Sequence, residues 1–168
     1  MKTALIYSFN TKNTASVAKE IKEVFGASEI DEINAEEING EKFLKYDRLI
    51  LGVPTWFDGE LPNYWDEFVP ELENLNLKNK KIALFGMGDQ IGYPENFVDG
   101  IGVLADIVEL RGATILGETS TDGYKYESSK AVHDNKFLGL AIDIENQSEL
   151  TSKRIQKWVE QLKKEFSK

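Results

Sequence analysis

Leu49-Ile50-Leu51-Gly52-Val53-Pro54-Thr55-Trp56-Phe57-Asp58-Gly59 passes directly from a buried-strand pattern into a loop that carries a large aromatic. Ile82-Ala83-Leu84-Phe85, followed by Gly86-Met87-Gly88-Asp89-Gln90-Ile91-Gly92-Tyr93, does the same. Short continuous apolar runs bounded by turn residues are what strands covered on both faces require. In open α/β sheets, ligands bind at the carboxyl ends of such strands. Trp56 and Tyr93 are therefore placed to clamp a flat conjugated ring between their faces. The pair predicts a bound aromatic cofactor.

The segments on either side alternate in the same way. Ala4-Leu5-Ile6-Tyr7 reads as a first strand, followed by a polar loop and a helical stripe of Val17, Ala18, Ile21, Val24 and Phe25 that stops at Gly26. A weaker strand is expected over about 28–33. Leu61-Pro62 should open the next helix with proline in its first turn, and Trp65, Phe68, Val69 and Leu72 should line it up to an interruption near Pro70. Phe97, Ile101, Leu104, Ala105 and Val108 mark a third helix ending at Gly112. A strand over 113–117 and a last helix with Ile155, Trp158, Val159, Leu162 and Phe166 on one face complete the series. Strand–helix alternation of this kind calls for a mostly parallel sheet with helices on both sides. Trp65 and Trp158 belong to the core. The polar segment 119–136 interrupts the alternation, and its length marks it as functional or as an insertion.

Composition sets the surroundings. The 168 residues suit one domain, 1–168, with 41% hydrophobic and 29% charged residues. No run approaches the roughly 20 apolar residues of a membrane span, and Met1-Lys2-Thr3 leads into a strand without an apolar signal region. A cytoplasmic protein is expected. The chain has no cysteine and a single histidine, His133, in the polar segment, which leaves no thiolate chemistry and no metal constellation. Twenty basic against 29 acidic residues give −9, opposite to a nucleic-acid footprint. Asp58, Glu60, Asp66, Glu67, Glu71 and Glu73 fall in a stretch between Arg48 and Lys78 that has no Lys or Arg. They read either as a solvated helix face or as a docking strip for a basic partner.

Ser8-Phe9-Asn10-Thr11-Lys12-Asn13-Thr14 joins the first strand to the first helix. A helix N-terminus offers free N–H groups and a positive dipole end to a phosphate. Ser8, Asn10, Thr11, Asn13 and Thr14 add hydroxyls and amides, although Ser, Thr and Asn are also ordinary capping residues. The loop contains neither a Walker motif nor G-x-G-x-x-G.

Taken together, Pro54-Thr55-Trp56 with Gly59-Glu60-Leu61, Gly88-Asp89-Gln90-Ile91-Gly92-Tyr93 with Asn96-Phe97, Ser120-Thr121-Asp122-Gly123-Tyr124 and Asn146-Gln147-Ser148 resemble the long-chain flavodoxins, nearly end to end. The resemblance implies a flavodoxin-like, doubly wound, five-stranded parallel sheet in the order 2-1-3-4-5, flanked by helices. Its last strand would be split by the long loop, and one non-covalent FMN would lie at the strand C-termini. Trp56 and Tyr93 would flank the isoalloxazine, with Pro54, Thr55, Gly59, Met87 and Gly88 in the surrounding loops. Asp89 and the neighbouring backbone would address the pyrimidine edge. Asn10, Thr11, Lys12, Asn13 and Thr14 would hold the phosphate, while Asn96 and Glu145 lie near the family's ribityl contacts; Ser8, Phe9 and Asp99 are counted with the cofactor-binding residues. The Phe57–Asp58 peptide stands where the family places one that flips to bond reduced N5.

Four positions depart from the family pattern: Phe9 replaces a small hydroxyl residue, Lys12 replaces glycine, Met87 replaces threonine, and Asp58 adds a charge. A positive φ at Lys12 would strain the backbone by roughly 1–2 kcal/mol, so FMN is expected to bind, with reduced affinity. The implied function is a low-potential, one-electron carrier on the semiquinone–hydroquinone couple. It would be a monomer without substrate turnover, docking basic faces of reductases and acceptor enzymes. The alternatives are an NAD(P)H:quinone-type reductase and a flavodoxin-like binding module that has lost FMN.

Overall fold

The computed structural model describes residues 2–168. Strands β1 (Thr3–Tyr7), β2 (Ile30–Asn34), β3 (Arg48–Gly52), β4 (Lys81–Met87) and β5 (Thr114–Leu116) form a parallel sheet in the order β2-β1-β3-β4-β5. The register is regular, with Ile6 opposite Leu51 and Leu51 opposite Leu84, so the loops after β1, β3 and β4 emerge side by side. This is the order that the sequence resemblance implies.

Alternation along each strand divides the core into two layers. Leu5, Tyr7, Ile50, Ala83 and Phe85 face helices α1 (Asn13–Phe25) and α6 (Thr151–Phe166), where Ile21, Trp158 and Phe166 fill the gap. Ala4, Ile6, Leu49, Leu51, Ile82 and Leu84 face the other side, where Phe43 of α2 (Gly40–Leu44), Trp65 of α3 (Asn63–Leu72) and Leu104 of α4 (Asp99–Leu110) pack. Both buried tryptophans find acceptors. The Trp65 indole donates to the Gly52 carbonyl at 3.0 Å, and that of Trp158 to Gly117 at 2.8 Å.

Local boundaries differ from expectation in places, each for a physical reason. A 3-10 turn, Ala27–Glu29, takes up the start of the segment read as strand, so β2 begins at Ile30. Pro62 sits at the N-cap of α3 and not within its first turn. Pro70 does not interrupt α3: it removes the one bond that residue 70 would donate to the Asp66 carbonyl, and the helix runs on two residues to Leu72. Phe97 precedes α4 and packs as part of the connecting loop.

The last strand is split. β5 pairs with Lys81–Ala83, and β9 (Leu140–Ile142) pairs with Phe85–Met87, both parallel to β4. The polar segment between them is ordered. It forms a small antiparallel sheet, β6 (Thr119–Ser120), β8 (Lys136–Phe137) and β7 (Val132–His133). Its aromatics pack on one another and on the main body: Tyr124 meets Phe137 of β8 edge-on at 4.9 Å, and Tyr126 stacks on Phe97 at 5.6 Å. The Arg154 guanidinium lies over Tyr124 at 4.1 Å, and the Tyr124 hydroxyl donates to the Ala141 carbonyl at 2.6 Å. His133 Nε2 lies 3.9 Å from an Asp106 carboxylate oxygen. No helix among the described residues is long and apolar enough to cross a membrane.

Candidate functional site

A cleft of about 390 Å³ opens at the C-terminal ends of β3 and β4. Thr55, Trp56, Phe57, Gly88, Asp89, Tyr93, Asn96 and Phe97 line it. Seven of these eight were expected from the sequence, and the eighth, Phe97, had been given to the helix face.

The first wall is built by a tight reversal. Trp56 and Glu60 exchange both backbone hydrogen bonds, at 2.8 and 2.7 Å, which closes a three-residue tip of Phe57, Asp58 and Gly59. So short a tip requires positive φ, found at Phe57 (49°) and Gly59 (90°). Glycine is required at the second, because a Cβ there would lie 2.5 Å from an Asp99 carboxylate oxygen. Phe57 has a side chain and tolerates its left-handed conformation at a cost of roughly 1–2 kcal/mol. The Asn96 amide donates to the Asp58 carbonyl at 3.2 Å. Among the described residues no protein group bonds the Phe57 carbonyl or the Asp58 N–H. Trp56 is braced from behind by Tyr64, edge-on at 6.2 Å.

The second wall is held by carboxylates turned inward. Asp89 Oδ1 accepts from the N–H groups of Gly92 (2.7 Å) and Ile91 (3.1 Å) and from the Asn146 amide (2.8 Å). The Gly92 bond first, and the Asn146 bond next, hold this carboxyl below the usual carboxylate value. Asp143, fully buried, accepts from the Gln90 N–H and side-chain amide at 3.1 and 2.8 Å. It also accepts from the Asn146 N–H at 3.0 Å. Gln90 in turn accepts from the Lys125 N–H, which ties the loop to the inserted segment. Tyr93 stands at the rim of this brace with 64% of its surface exposed. The pairing of Gln90 with Asp143 is not legible in the sequence. Their positions are 53 residues apart, and no periodicity links them.

The third expected loop lies at the start of α1. Ser16 N–H donates to the Lys12 carbonyl at 3.1 Å, so the N–H groups of Asn13, Thr14 and Ala15 precede the first intrahelical bond. No side chain caps them. Lys12 has φ −89°, so the strain considered for lysine at this position does not arise. Within the loop, Thr11 Oγ1 donates to the Ser8 carbonyl at 2.7 Å, and Asn10 N–H donates to Ser8 Oγ at 3.3 Å. Phe9 lies against Tyr7 at 5.0 Å, and its N–H donates to Asn34 at 3.2 Å.

The remaining expected residues stand outside the cleft lining. Asp99 is buried and accepts from the Lys130 N–H at 2.8 Å and from Asn96 at 3.3 Å, so it positions Asn96. Met87 packs in the core layer beside α6. Glu145 is exposed on the short helix α5 (Ile144–Gln147).

A cleft between two aromatics, an uncapped helix N-terminus at the same sheet edge and a peptide without partners suit a planar ring with a phosphate tail. The flavodoxin family model matches residues 5–158. The chain belongs to the flavodoxin family. It is 43% identical to flavodoxin 1 of Escherichia coli K12 over 165 residues, covering 98% of this chain and 94% of that protein. It is 45% identical to the flavodoxin of Trichodesmium erythraeum over 167 residues, covering 98% of each. Among solved structures, the flavodoxin of Fusobacterium nucleatum bound to flavin mononucleotide superposes with a TM-score of 0.92 at 36% identity. That match covers 98% of this flavodoxin and 99% of the other chain. Flavodoxins carry electrons to redox partner proteins, and this chain is an electron carrier of that kind.

Proposed function

We propose that this flavodoxin holds one non-covalent FMN, with the ring between Trp56 and Tyr93 and the phosphate on the N-terminus of α1, and passes single electrons through the exposed ring edge. The observation that carries this is the cleft itself, with two aromatic walls on loops that the protein has already braced. FMN supplies the redox chemistry when bound. The chain's own residues determine how it is held. Trp56, fixed by Tyr64, and Tyr93, fixed by the Asp89 turn, cover the two ring faces. Thr55 accepts from the Gly100 N–H at 2.9 Å and so fixes the β3 loop on α4. The Asp89 carboxylate is taken up by its own loop, the Gly88 N–H by the Ile142 carbonyl and the Asp89 carbonyl by the Tyr93 N–H, which leaves the Gly88 carbonyl and the Asp89 N–H to serve the polar ring edge. The Phe57–Asp58 peptide, free of protein partners, is placed to accept a hydrogen bond from a protonated ring nitrogen.

The acidic strip supports docking on basic partner surfaces. Asp58, Glu60, Asp66, Glu67, Glu71 and Glu73 are all exposed, and Glu71 in addition accepts from the Gly40 N–H of α2 at 2.6 Å. Coverage of both ring faces favours electron transfer through the edge over stacked hydride transfer, which supports a carrier without substrate turnover. We further propose a monomeric, cytoplasmic protein whose residues 1–168 act as one FMN-binding domain. Titration of the apoprotein with FMN tests the reading. Stoichiometric quenching of flavin fluorescence, weakened by Trp56→Ala and by Tyr93→Ala, is the expected result. Absence of binding overturns it.

A further inference from the structure

The phosphate loop faces a carboxylate. β2 ends at Asn34 and turns through the 3-10 segment Ala35–Glu37, and this turn clasps the loop at two points. Asn34 Oδ1 accepts from the Phe9 N–H and from the Glu36 N–H, both at 3.2 Å. That fixes the start of the turn against the start of the loop. The Glu36 carboxylate then accepts from the side-chain amide of Asn10. Two donors of the 8–14 segment, the Phe9 N–H and the Asn10 amide, are thereby turned towards the Asn34–Glu36 turn. The segment contributes only one cation, Lys12.

Glu36 also bears on the ring wall. The Tyr64 hydroxyl is buried with no hydrogen-bond partner among the described residues. Burial first, and the nearby Glu36 charge second, make it harder to ionise. The Tyr64 ring is the one that braces Trp56. The same carboxylate thus bonds the phosphate loop and is felt electrostatically at the brace of the ring wall.

We propose that Glu36 is a specificity-determining residue that sets how far this flavodoxin prefers FMN over riboflavin, which has the same ring and no phosphate. The proposal rests on the reading that the 8–14 segment holds the phosphate. A phosphate monoester brings a charge of about −1.5 to −2 to a loop whose Asn10 is already paired with an anion. The phosphate must displace the carboxylate from Asn10 or bind against its field. Riboflavin meets neither obstacle. Glu36 therefore reduces the contribution of the phosphate to affinity and leaves that of the ring untouched.

The test is to titrate the apoprotein with FMN and, separately, with riboflavin, following quenching of flavin fluorescence. Glu36→Gln keeps a side chain of the same shape and removes the charge. FMN should bind roughly three- to tenfold more tightly to it, with riboflavin affinity unchanged. Raising the salt from about 0.05 M to about 0.5 M should narrow the FMN difference, because exposed charges are screened. Glu37→Gln removes the next carboxylate, which accepts no hydrogen bond from the loop, and should have a clearly smaller effect. Unchanged FMN affinity in Glu36→Gln overturns the proposal. So does equal tightening of both flavins, which would assign Glu36 to the ring wall through Tyr64. Equal effects of the two substitutions would reduce the result to net charge and likewise overturn it. Equal binding of riboflavin and FMN by both the wild-type apoprotein and Glu36→Gln overturns the phosphate reading itself, and a wild-type apoprotein that binds neither overturns the cofactor reading.

Discussion

Substituting Asp143 by alanine tests the brace behind Tyr93. This carboxylate is wholly buried and receives the backbone and side-chain N–H groups of both Gln90 and Asn146. Hydrogen bonds to a charged acceptor contribute roughly 1.5–3 kcal/mol each, and a buried donor left without a partner costs roughly 1–3 kcal/mol. The four bonds share one acceptor group and do not add. Removing the carboxylate also relieves its desolvation penalty. We expect Asp143→Ala to destabilise the apoprotein by roughly 3–4 kcal/mol in urea unfolding, a large share of the 5–15 kcal/mol typical of a domain. Asp143→Asn should cost less. It retains an acceptor for the Gln90 N–H but sets one amide NH2 against another. Because the Gln90 loop leads into Tyr93, FMN affinity should fall with stability, by about tenfold per 1.4 kcal/mol transmitted to the site. A change in unfolding free energy below about 0.5 kcal/mol, with FMN affinity unaltered, would refute the reasoning and leave the Asp89 turn as the only support of this wall.

Other consequences concern the two walls and the ring edge. Gly59→Ala places a methyl group 2.5 Å from Asp99 at a φ of 90°; it should lower the thermal midpoint and weaken FMN binding, both absent if the tip can reopen freely. Asp58→Asn removes one exposed charge beside the ring edge and should raise the potential of the second electron by roughly 20–50 mV, for a charge about 10 Å away at an effective dielectric of about 40. An unchanged potential removes Asp58 from the tuning. Asp89 is more acidic in the folded protein than in the unfolded chain, so its contribution is complete above its unfolded value of about 3.9. That contribution is lost as pH falls through the lower folded value. Acid unfolding should therefore lose part of its pH dependence below about pH 4 in Asp89→Asn, and identical acid profiles would refute this.

What was legible in the sequence was whatever local pattern controls. The apolar runs 49–53 and 82–85 could only be strands buried on both faces, and the loops that follow them carried Trp56 and Tyr93 to one cleft. What was not legible comes from contacts between distant positions. Asp143 looks like any polar residue after a strand until β9 pairs with β4 and delivers it beneath Gln90. Glu36 looks like one more surface acid until β2 lies beside β1 and its turn meets Asn10. The segment 119–136 read as a polar loop because its strands are two residues long. Tyr124 and Tyr126, spaced as in a strand, dock on Phe97 and Phe137, and their spacing alone does not distinguish anchors from loop residues. Pro70 reads as a break, but it removes a single intrahelical bond and α3 closes two residues later at Leu72.

The central claim is that these loops bind FMN edge-out and bias it towards single electrons. Redox titration of the FMN-loaded protein, followed by absorbance, tests this most directly. The account predicts two separate one-electron steps, the second well below the potential of free flavin. A single two-electron step near the free-flavin potential would contradict it.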